Sequence, residues 1–103
     1  MEYETFAAHF PLVRNLLEGV FHQGWRFDYD SLEELYEDVL DGRDQAARAQ
    51  LADQLERFAD DQDEAAVDQI FVESYTGVVP QRDAGVSARA WLLDLARRLR
   101  RSI

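Results

Sequence analysis

Apolar residues in this chain recur every three or four positions almost from end to end, and nowhere do they alternate at period two. That spacing builds helices with one buried face and leaves no material for a sheet. Leu12, Val13, Leu16, Leu17, Val20 and Phe21 predict a first helix of about three turns, opened by Pro11 and weakened by Gly19 and Gly24. The segment FHQGWRF then reads as a packed aromatic loop. A second helix carries Leu32, Leu35, Tyr36, Val39 and Leu40, with Asp30 as N-cap, Glu33 reaching back to it, and Gly42 closing the end. A third helix, from about Asp44 to Ala59, presents Ala47, Leu51, Leu55 and Phe58. Asp63 caps a fourth with the stripe Ala66, Val67, Ile70 and Phe71. Gly77 and Pro80 open a loop through Gly85, and Ser87 caps a fifth helix bearing Ala88, Trp91, Leu92, Leu95 and Leu99. The expected fold is all-α: a compact single-domain bundle of about five helices spanning residues 1–103.

Charge is the second constraint. The chain has 21 acids and 11 basic residues, all arginine, for a formal net charge of -10. Residues 28–73 alone hold 16 acids against Arg43, Arg48 and Arg57, a net of -13. Phosphates are repelled by such a segment, so no nucleic-acid partner is expected. A basic protein partner suits it. There is no cysteine, which excludes disulfides, thiolate metal sites and a catalytic thiol. No apolar run reaches the length of a membrane span, and the opening MEYETF has no basic-then-apolar leader pattern. The expected location is the cytoplasm, with no membrane partner.

Few residues could carry chemistry. His9 and His22 are the only histidines and share no metal-ligand spacing. Asp28 and Asp30 begin a calcium-loop pattern, but Leu32 and a missing glycine break it, and DDQDE at 60–64 fails in the same way. No metal, cofactor or catalytic residue is expected. The acidic face of the second helix is more informative. Glu33–Glu37, Glu34–Asp38 and Glu37–Asp41 are like-charge pairs four residues apart, each costing a few tenths of a kcal/mol. A locally unfavourable face points to a surface that meets positive charge. Asp28, Asp30, Glu33, Glu34, Glu37, Asp38 and Asp41 are therefore the candidate partner-binding residues. Phe21, His22, Gln23 and Trp25 are assigned to a structural turn. Arg97, Arg98, Arg100 and Arg101 fit a helix C-terminus and are expected to pair with acids of the same domain.

Residues 10–42 resemble the opening of a family of small contact-dependent growth inhibition immunity proteins. The likeness rests on Phe10, Pro11 and Leu12, on Phe21, His22, Gln23 and Trp25 of the turn, and on Tyr29, Ser31, Glu33 and Glu34. Trp91 and Leu92 fit the family's closing segment. Gly24 stands where the family usually has Asp, and Val20 where an aromatic is common. The resemblance implies a non-enzymatic protein that binds and neutralises the toxic C-terminal domain of a cognate effector, an expected basic nuclease. A small acidic helical adaptor for another cytosolic protein is the alternative, and an acidic hydrolase a third reading.

Overall fold

Two long amphipathic helices form the spine. A computed structural model describes residues 1–101, and among these every regular element is helical. We number them α1 (Tyr3–His9), α2 (Pro11–Asn15, running on through a π-helical turn Leu16–Val20), α3 (Trp25–Asp28), α4 (Leu32–Asp41), α5 (Gln45–Asp61), α6 (Glu64–Glu73), α7 (Pro80–Asp83) and α8 (Ala88–Arg101). The α5 and α8 faces make the largest helix–helix contact, with Leu51, Ala52, Leu55, Phe58 and Ala59 meeting Trp91, Leu92, Leu95, Ala96 and Leu99. All ten are buried. Asp44 and Asp63 cap α5 and α6 by accepting the Ala47 and Ala66 amides at 2.8 Å each. Ser87 does the same for α8 through the Ala90 amide at 3.1 Å.

The all-helical class stands, but the count of about five helices is too low: the described residues form eight α-helical segments. The additional ones are short. The α1 helix has Phe6 as its single buried residue, too little to register as a stripe. It ends at Phe10, whose backbone leaves the helical region just before Pro11, as the residue before a proline tends to. Phe6 and Phe10 then pack on Phe58 of α5 at ring-centroid distances of 4.8 and 5.3 Å. Part of the expected FHQGWRF loop is the helix α3, and Pro80 opens α7 rather than only ending a helix. The cap of α4 also differs by one residue. Ser31, not Asp30, is its N-cap and accepts the Glu34 amide, while the Glu34 carboxylate accepts the Asp30 amide at 3.0 Å. Glu33 points instead to α8.

Asp83 ties the α7 segment to the rest. Its side chain is 5% exposed and accepts the Val79 amide and the guanidinium groups of Arg26 and Arg82. Burial pushes its carboxyl up, but the Arg82 and Val79 hydrogen bonds and the Arg26 charge outweigh this and hold it below the usual carboxylate value. A depressed carboxyl contributes stability above its unfolded value of about 4, and that stability is lost as pH falls through the folded value. Asp83→Asn is therefore expected to melt lower than wild type at pH 7, with the gap narrowing at pH 3. Thermal melts at the two pH values check this; an equal gap at both would contradict it.

Candidate functional site

The turn after α2 is built into the core. Phe21 is fully buried, with its ring edge-on to Trp91 at 5.0 Å. Its carbonyl accepts two hydrogen bonds, from the Gly77 amide at 2.7 Å and the Thr76 hydroxyl at 2.7 Å. Trp25 is buried, and its indole N–H donates to the Gly77 carbonyl at 3.0 Å. Two segments some 50 residues apart are thus laced backbone to backbone. Gly77 makes the lacing possible, because a Cβ there would lie 2.2 Å from the His22 carbonyl oxygen.

His22 is half-exposed beside this joint. Its Nδ1 accepts the Gly24 amide at 3.0 Å, which leaves the ring proton on Nε2, 3.3 Å from the Asp28 carboxylate. A Cβ on Gly24 would meet the imidazole at 3.2 Å, so the family's usual Asp at this position requires the ring to give way slightly. The carboxylate beside His22 is that of Asp28. Gln23 is exposed next to it.

The acids of α4 separate into two groups. Glu33 forms a two-pronged pair with Arg98, at 2.9 and 3.2 Å, and Arg98 also holds Asp94 and stacks over the Tyr36 ring at 4.6 Å. Asp38 accepts the Tyr29 hydroxyl at 2.6 Å, which raises the Tyr29 pKa, and Glu34 is spent on the cap. Asp30, Glu37 and Asp41 are exposed, and their carboxylates make no ion pair among the described residues. Three of the four terminal arginines pair within the domain: Arg97 with Asp94, Arg98 as above, and Arg100 with Glu56 at 2.6 Å.

Sequence reasoning passed over a different surface. Val72 and Tyr75 are 71% and 76% exposed, and Phe27 is 95% exposed. The available signal was periodicity: Val72 falls off the Val67–Ile70–Phe71 stripe of its own helix, so it had to face outward.

No three His, Asp or Glu side chains among the described residues are grouped to hold a metal ion. No helix among them is long and apolar enough to cross a membrane. Fold and surface together define a small acidic helical domain whose exposed side chains are suited to meeting another macromolecule. The family described as CdiI immunity protein has a sequence model that matches residues 9–99, and the chain belongs to that family. Neither a curated protein nor a solved structure matches it significantly.

Proposed function

We propose that this chain is a cytoplasmic, non-enzymatic immunity protein that neutralises a basic toxin domain, a nuclease, carried at the C-terminus of a contact-dependent growth inhibition effector. Membership of the CdiI family supports the toxin-neutralising part. The observation that supports a basic partner is the net charge of -13 across residues 28–73, with Asp30 just before α4 and Glu37 and Asp41 on its exposed face making no ion pair among the described residues. Nucleases carry positive charge to approach phosphate, and complementary fields raise association rates and select partners. Asp28, Glu33, Glu34 and Asp38 contribute to the same field while each is also held by a neighbour. A carboxylate acts at this range through its charge and need not touch the toxin.

Charge reversal at the three unengaged acids tests the reading. The variant Asp30→Lys, Glu37→Lys, Asp41→Lys leaves the Glu34 cap and the Glu33–Arg98 pair in place, so its circular dichroism should match wild type. Its association with the toxin domain is expected to slow by about tenfold at low salt, the lower end of steering effects. Cells that express the toxin should be protected less well. Unchanged association and full protection would remove α4 from the account.

A further inference from the structure

The outward face of α6 carries a line of residues that nothing among the described residues covers. Glu64, Asp68 and Val72 follow one another at four-residue steps, all exposed, and Tyr75 continues the line just past the helix end. Tyr75 is held at φ +56°, the left-handed region that a bulky side chain seldom adopts. The backbone on both sides is fixed. The buried Ser74 hydroxyl donates to the Phe71 carbonyl at 2.8 Å, and Thr76 and Gly77 are bound to the Phe21 carbonyl. The strained residue sits between these two anchors with its ring in solvent, and strain of this kind concentrates at functional positions.

Beside the ring lies an open groove of about 400 Å³, lined by Phe71, Val72, Tyr75, Val78, Val79 and Pro80, with Gln23 and Asp68 at its rim. Its walls are largely apolar, and Tyr is among the side chains that most often anchor interfaces. The charge at the groove selects the occupant. Its one charged lining side chain is Asp68, with Glu64 one turn before it on the same exposed line of α6. The nearby Arg82 is engaged by Asp83. A second copy of this chain would set the acidic line against its own equivalent, a repulsive arrangement. A basic chain is attracted by the line, and an apolar side chain projecting from it is taken up by the groove.

We propose that the groove between α6 and α7, fronted by Val72 and Tyr75, seats a basic segment of the cognate toxin domain that inserts an apolar side chain. The proposal rests on the toxin-neutralising reading above and adds where the partner is held. The acids of α4 set the rate of encounter, and the groove sets the lifetime of the complex.

The test is stopped-flow association and surface-plasmon dissociation with the isolated toxic C-terminal domain of the cognate effector. The double variant Val72→Ser, Tyr75→Asn is used because both positions are exposed and Asn tolerates a positive φ. Its melting temperature should stay close to wild type. Its dissociation should be about 30-fold faster, the size of a hot-spot truncation, with association within about twofold. The α4 triple reversal gives the opposite pattern, slow association with unchanged dissociation. Tight wild-type binding with unaltered dissociation of the double variant would overturn the groove and leave the immunity reading standing. A wild-type dimer that the double variant disperses would show that a second copy occupies the groove. A wild-type chain that does not bind the domain at all overturns both.

Discussion

Gly77→Ala is expected to destabilise the domain by about 3 kcal/mol or more, upwards of ~10 °C in melting temperature for a chain of this size. The added Cβ would stand 2.2 Å from the His22 carbonyl oxygen, 2.7 Å from Gln23 Cα and 2.8 Å from the His22 carbonyl carbon. These are all backbone atoms, so no side chain can rotate out of the way. Relief requires the two segments to part, which breaks the Gly77 amide bond to Phe21 and the Trp25 indole bond to Gly77. A buried donor left without a partner then adds its own cost. Thermal melts decide the matter: a variant that melts within about 3 °C of wild type would mean that the joint is loose. The substitution should also weaken toxin binding, because the same joint holds Tyr75 in place.

The second large effect is expected at Trp91, where truncation to alanine should cost about 3–5 kcal/mol, a large share of the total stability of a small domain. The ring is 1% exposed and meets Phe21 and Phe71 edge-on at centroid distances of 5.0 and 5.8 Å. Its indole N–H donates to the Tyr36 hydroxyl at 2.7 Å, so this one side chain joins α8 to α4, α6 and the turn after α2. Trp91→Phe keeps most of the apolar volume and removes the donor, and it should fall between wild type and alanine. Chemical denaturation of both variants measures this. A loss below about 1 kcal/mol for alanine would place the ring outside the core.

The parts of this fold that could be read from the sequence are those where one helix buries its own stripe. The caps at Asp63 and Ser87, and the faces of α5 and α8, follow from local periodicity and short-range hydrogen bonding. What escaped is short or depends on distant residues. The α1 helix has one anchor, Phe6, whose partner Phe58 lies some fifty residues away. The cap of α4 falls at Ser31, one position past the expected Asp30, where the Ser31 hydroxyl accepts the Glu34 amide and the Glu34 carboxylate accepts the Asp30 amide. Nothing near Gly77 in the chain announces that it must pass against His22. The acids of α4 were legible as a charged face, but their division into engaged and unengaged members depends on Arg98 and Tyr29, which the fold brings to them. Tyr75 gave no sequence signal, because its exposure is a product of backbone geometry at a helix end.

We propose that a concentrated negative surface captures a basic toxin domain. This is tested most directly by the association rate of the wild-type chain with that domain, measured by stopped flow as salt rises from about 20 mM to 500 mM. Screening shortens the reach of the field from about 20 Å to under 5 Å over this range. The account predicts a rate that falls by about tenfold or more across the series. A rate that ignores salt would contradict it.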